Sequence, residues 1–149
     1  MTARHRVRVT RRLPEAVEAR LAVQYDVVLN QPDIALSATE LRGAMREFDA
    51  ILPTITDRID ADVLATSGRR AALIANYGAG VDHIDLAAAR AAGIAVSNTP
   101  GALTEATAEL AILLMLMAAR RAGEGERELR AGEWTGWRPT HLVGQSLDG

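Results

Sequence analysis

The segment with the most chemical potential is Asn76-Tyr77-Gly78-Ala79-Gly80-Val81-Asp82-His83, a glycine pair directly after the apolar run 71–75. Glycines at the carboxyl end of a buried strand let a tight turn face its amides outward, and such a nest binds a small carboxylate. An ordinary glycine turn between strand and helix is the commoner use of these residue types, and on the residues alone both readings stand. A dinucleotide phosphate loop does not fit. The third glycine of G-x-G-x-x-G falls at His83, the next helix starts several residues late, and no acidic residue ends the following strand to take a ribose.

Other chemistry is narrowed by what the chain lacks. All 17 basic residues are arginine, which removes Schiff-base catalysis and a lysine-dependent phosphate loop. There is no cysteine, hence no disulfide, thiolate metal site or thiol nucleophile. His5, His83 and His141 are far apart in sequence, so no metal ligands are assigned. His83 is expected to be satisfied by the neighbouring carboxylate of Asp82. Glu105 and Glu109, four residues apart, read as acids complementing the start of a helix rather than as a catalytic pair. Trp134 and Trp137 fit equally a core anchor and an arm that packs on another surface. A net charge of −2 leaves no basic field for nucleic acid.

The elements that must carry these residues alternate. Strands are expected at 7–10, 25–29, 49–52, 71–75 and 94–97, separated by helices at 14–23, 37–46, 61–66 and 86–92. Ser37 with Glu40 forms a capping box, Asp60 and Asp85 serve as helix caps, and Gly93 supplies a left-handed helix end. Five strands with a helix between each pair over about a hundred residues imply an α/β, doubly wound parallel sheet, with the strand order left open. A turn at 98–101 marks a boundary, followed by one long helix over 104–121 and a glycine-punctuated, charged arm. The run 110–119 is half of the ~20 residues needed to span a bilayer, which predicts a buried helix and no membrane association. The arginine-rich start reads as a strand because Val7 and Val9 alternate with Arg6 and Arg8. The length of 149 residues suits one ordinary domain, with the cytoplasm as the default location.

A phosphoacceptor receiver domain would need an aspartate ending the third strand and a lysine ending the fifth. The third strand ends Leu52-Pro53-Thr54 and no lysine exists. A flavin phosphate loop would need a Ser/Thr/Gly-rich turn after the first strand, where Arg11-Arg12-Leu13-Pro14 stands.

Taken together, ILPTITDRID at 51–60, NYGAGVDHIDLAAARAAGIAVSNTPGALTEATAELAILLMLMAAR at 76–120 and GEWTGWRPTHLVG at 132–144 carry a resemblance over nearly the whole chain. The sequence resembles the D-isomer-specific 2-hydroxyacid dehydrogenases, particularly the glyoxylate/hydroxypyruvate reductase branch. The resemblance implies a flavodoxin-like substrate domain over 1–100 and the start of an NAD(P)-binding domain over 101–149. It implies that the loop Gly78, Ala79 and Gly80 holds the substrate carboxylate, that Ala79 and Thr107 contact the cofactor, and that Ile55 lines the substrate pocket. It further implies a homodimer through the 104–121 helix and the following arm, with Trp137 reaching the partner's site.

The family's glycine-rich loop and its catalytic arginine, glutamate and histidine would follow the point matching Gly149. No catalytic residue is therefore assigned, and neither His83 nor His141 takes the histidine's role. The expectation is part of an oxidoreductase that transfers hydride between NAD or NADP and a small 2-oxo or 2-hydroxy acid, with this chain alone inactive and binding neither cofactor strongly. The alternative is a non-catalytic dimerisation or carboxylate-binding module derived from the family.

Overall fold

Alternation of arginine and valine makes β1 (Arg6–Val9) a strand with buried valines and half-buried arginines. The computed structural model describes residues 4–147; the ends of the two expected domains, residues 1–3 and 148–149, lie outside the described residues. After β1 come α1 (Glu15–Gln24), β2 (Asp26–Val28), α2 (Ala38–Glu47), β3 (Ala50–Leu52), α3 (Ala61–Leu64), β4 (Leu73–Ala75), α4 (Leu86–Ala91) and β5 (Ala95–Ser97). The five strands are all parallel, in the order β2-β1-β3-β4-β5. This is the doubly wound order whose switch point lies between β1 and β3.

Local signals set the helix starts. Ser37 accepts from the Glu40 amide while Glu40 accepts from the Ser37 amide, closing the capping box of α2. Asp60 accepts from Val63 N–H at 3.2 Å and Asp85 from Ala88 N–H at 2.9 Å. Gly93 ends α4 at φ +68°. The core is built from α2, α3, α4 and the strands beneath them, with Met45, Ile51, Ile59, Val63, Leu64 and Ile74 almost fully buried. Burying each such side chain contributes roughly 1.5–3 kcal/mol.

The amino edge of the sheet is tied by Asp49. It accepts from Arg6 N–H at 2.7 Å and from the Arg70 guanidinium at 2.6 and 3.0 Å, joining β1, β3 and the approach to β4. These bonds, the Arg70 guanidinium foremost, hold the Asp49 carboxyl below its ordinary range.

The chain divides into two compact units, Met1–Ala102 and Leu103–Gly149. The second begins with α5 (Thr104–Ala119), two residues shorter than expected, because Arg121 turns into the left-handed region at φ 53°. The expectation of a buried helix is corrected: none of its residues is buried, and Leu110 and Ile112 to Met117 are 37–58% exposed. The segment read as an arm contains a further helix, α6 (Ala122–Arg130). Glu128 of α6 pairs with His141 at 2.6 Å and with Arg138 at 3.6 Å, holding the following segment to that helix. Among the described residues no helix is long and apolar enough to cross a membrane.

Candidate functional site

Parallel strands deliver their following loops to one edge of the sheet, and that edge carries an unusual concentration of buried polar groups. Thr10, Asn30, Asp57 and Asn76 follow β1, β2, β3 and β4, and each is at most 5% exposed. Buried polar groups are costly unless bonded, so each must hold something. Asn30 donates to the carbonyls of Thr10 at 2.5 Å and Ile34 at 2.6 Å. Asp57 accepts from Thr10 Oγ1 at 2.5 Å and Thr54 N–H at 2.9 Å, fastening the loop after β3 to the end of β1. Its Oδ1 has no protein partner among the described residues. Arg11 donates to Asp33 at 2.8 Å and to Thr56 Oγ1 at 3.0 Å, and its guanidinium holds the Asp33 carboxyl below the usual carboxylate range.

The glycine loop after β4 is held most fully. Asn76 Nδ2 donates to the carbonyls of Gly78 at 3.1 Å and Gly80 at 2.8 Å, and Asn98 Nδ2 donates to the carbonyl of Ala79 at 2.8 Å. Thr99 N–H adds a second bond to Gly78 O at 3.0 Å, while Tyr77 N–H is taken by Pro53 O at 2.9 Å. All three carbonyls from Gly78 to Gly80 thus face donors. The amides of the same three residues donate to nothing among the described residues. A loop with its acceptors engaged and its donors free presents positive potential, and an anion meeting two such amides makes charge-assisted hydrogen bonds.

Ile55 stands beside this loop. It is 70% exposed, and its Cγ2 lies 3.4 Å from where a Cβ on Gly78 would sit. Next to it, a cleft of about 420 Å³ is lined by Ile55, Asp57, Arg58, Asp82 and His83 among others. The cleft floor is fixed because Ile59 N–H bonds His83 O and Asp85 N–H bonds Ile59 O, both at 2.9 Å. The structure therefore brings Ile55, Gly78, Ala79 and Gly80 together in the first unit. Thr107, in the first turns of α5, and Trp137, 81% exposed, belong to the second unit. Trp134 is 53% exposed, so neither tryptophan is a core anchor here.

One expectation needs revision. His83 does not turn to Asp82; its Nε2 lies 3.0 Å from Asn76 Oδ1, because the loop carries the imidazole back over the strand end. Gly78 and Gly80 do not occupy the left-handed region. Gly78 is instead closely neighboured, since a Cβ there would lie 3.3 Å from Asn76 Nδ2, which would have to give by a few tenths of an ångström. Asn76, Asn98 and Asp57 were not singled out as functional from sequence. An asparagine just before a glycine pair, able to reach carbonyls two and four residues ahead, was the available signal.

The glycine loop after β4 does not fit the pyrophosphate of a dinucleotide. After Gly80 the chain runs five residues before α4, a helix of six residues whose amino end is already capped by the Asp85 carboxylate. Among the described residues no cluster of three or more His, Asp or Glu side chains is placed to hold a metal.

A family model for the catalytic domain of the D-isomer specific 2-hydroxyacid dehydrogenases matches residues 7–140. The chain is 40% identical over 146 residues to a glycerate dehydrogenase of Hyphomicrobium methylovorum, covering 98% of this chain and 45% of that protein. It is 43% identical over 151 residues to a glyoxylate reductase of Aeropyrum pernix, covering 98% of this chain and 44% of that protein. Among solved structures it superposes with a TM-score of 0.77 and 30% identity on an NADPH-dependent glyoxylate/hydroxypyruvate reductase of Sinorhizobium meliloti in complex with NADP and malonate, covering 99% of this chain and 44% of that one. The chain thus spans less than half the length of these relatives.

Proposed function

Since the chain belongs to the D-isomer specific 2-hydroxyacid dehydrogenase family, we propose that it supplies the carboxylate-binding half of an oxidoreductase acting on glyoxylate, hydroxypyruvate or a similarly small 2-oxo acid. The observation that carries this reading is the trio of free amides at Gly78, Ala79 and Gly80, with every carbonyl of the trio already engaged. A 2-oxo acid needs its carboxylate held so that the neighbouring carbonyl carbon is presented in one orientation. Two amides gripping the carboxylate, with Ile55 limiting the space beside it, meet that need and favour a short substrate.

The reductant of the whole enzyme is NADH or NADPH in this reading, as it is NADPH for the Sinorhizobium relative. The loop after β4 offers the nucleotide's pyrophosphate no seat, since the start of α4 is already capped by Asp85. The first unit is the substrate domain, and the second opens the coenzyme domain. Ala79 and Thr107 contact the nicotinamide end, and α5 with the following segment forms a homodimer in which Trp137 reaches the partner copy's site.

The test is a chimaera. Residues 1–149 replace the matching portion of the Aeropyrum glyoxylate reductase, and oxidation of the reduced cofactor is followed with glyoxylate and hydroxypyruvate. Turnover is expected in the chimaera and none in residues 1–149 alone. A folded chimaera that binds cofactor but reduces neither acid would overturn the assignment.

A further inference from the structure

The free amides owe their direction to something, and glycine conformational freedom is not it, since neither Gly78 nor Gly80 adopts positive φ. We infer that Asn76 is the positioning residue of the carboxylate loop, and that His83 holds Asn76 in the one orientation that works. The inference rests on the reading of this loop as the carboxylate site.

Asn76 is 3% exposed and has one amide NH₂ and one carbonyl oxygen to place. Two backbone carbonyls, those of Gly78 and Gly80, face one end of its side chain at 3.1 and 2.8 Å. Only the NH₂ can serve them, so Oδ1 must face His83 Nε2 at 3.0 Å. His83 must then carry its proton on Nε2, because an unprotonated nitrogen there would set two lone pairs against each other. A flipped Asn76 would place its oxygen against two carbonyl oxygens and release the loop. His83 thus secures Asn76, Asn76 draws in the carbonyls of Gly78 and Gly80, and their amides are left for a ligand. Asn98 performs the same task on the intervening carbonyl of Ala79, but from the exposed side and with one bond.

Asn76→Asp is informative, since it keeps the shape and replaces the donating NH₂ with an acceptor aimed at two carbonyls. Because it also brings a negative charge, Asn76→Leu, which removes the donor without adding charge, is measured beside it. Asn76→Leu is expected to weaken glycolate to a similar extent, whereas wild-type affinity in that variant would overturn the inference. The ¹⁵N-labelled chain is titrated with glycolate, a small 2-hydroxy carboxylate, while the Gly78, Ala79 and Gly80 amides and the His83 ring nitrogens are observed. In the wild type, His83 is expected to show the Nε2–H tautomer and the three amides to shift with glycolate. In Asn76→Asp, glycolate affinity is expected to fall about tenfold or more, the scale of a lost hydrogen bond to a charged group, with the Val9, Ile51 and Ile74 amides unmoved. Wild-type affinity in Asn76→Asp would overturn the inference and leave the carboxylate site standing. An Nδ1–H tautomer in the wild type would overturn it without recourse to any variant. No glycolate response in the wild type would instead overturn the site reading, and the inference with it.

Discussion

Gly78 and Gly80 look interchangeable as letters, yet they have different tasks. A Cβ on Gly78 would meet Asn76 Nδ2 at 3.3 Å and Ile55 Cγ2 at 3.4 Å, so any side chain there disturbs the residue that holds the loop. A Cβ on Gly80 would meet only Asp82 Oδ2 at 3.8 Å, an ordinary contact. Gly80→Val is therefore expected to fold with little change in its urea midpoint, while its isopropyl group crowds the carboxylate and lowers glycolate affinity by about tenfold or more. Calorimetry or amide titration showing unchanged affinity would move the anion site elsewhere. At this scale the glycine pair and its place after a strand were legible, because residue type and order are enough to suggest a nest. What was not legible was the reason for each glycine. That reason depends on Ile55 arriving from another loop and on His83 folding back to Asn76 rather than pairing with Asp82.

Among the elements, those with local start and stop signals were legible and those governed by packing were not. The capping box at Ser37, the aspartate caps at positions 60 and 85 and the left-handed Gly93 act within a few residues, and all occur as read. Helix α6 was missed because Gly123 and Gly125 each disfavour helix by about 1 kcal/mol relative to alanine. Ion pairs Arg121–Glu124 at 2.5 Å and Glu126–Arg130 at 2.7 Å offset part of that cost. A Cβ on Gly125 would also lie 2.9 Å from Leu142 Cδ1, so that glycine admits a close neighbour rather than breaking the helix. Helix α5 presents the opposite problem, for its residues Leu110 and Ile112 to Met117 are apolar on every side and 37–58% exposed. A helix without a polar face requires cover. Association through α5 is expected to give light-scattering masses above that of one chain. Replacing both Leu113 and Leu116, which share a face, with glutamate is expected to shift the population toward monomer. A monomeric wild type, unaffected by the pair of glutamates, would remove α5 as an interface.

For the whole molecule, the five-strand parallel class follows from alternation, but the order β2-β1-β3-β4-β5 does not, because pairing between distant strands leaves no local mark. That order is what puts β1 beside both β2 and β3, so that polar side chains can lock the two edges of the sheet. At the carboxyl edge Thr10, Asn30, Asp57 and Asn76 hold the loops that carry the site. At the amino edge one carboxylate, Asp49, joins β1 through Arg6 N–H and the approach to β4 through Arg70. Because these bonds favour the ionised form, the Asp49 carboxyl titrates below its ordinary 3.8 in the folded chain. A carboxyl depressed on folding gives stabilisation that is complete above the unfolded value and is lost as pH falls through the folded one. Acid should therefore weaken the sheet below 3.8, where the clamp takes up a proton. Asp33, Glu40, Asp60 and Glu124 are depressed in the same direction and add to the acid sensitivity of the wild type. Asn in place of Asp49 keeps an acceptor for Arg6 N–H but loses the paired charge for Arg70. Asp49→Asn is thus expected to be less stable than wild type at neutral pH and to lose less stability on acidification, so that the two curves of urea midpoint against pH converge below 3.8. Parallel curves across that window would mean that the Asp49 clamp contributes no pH-dependent stability to the fold.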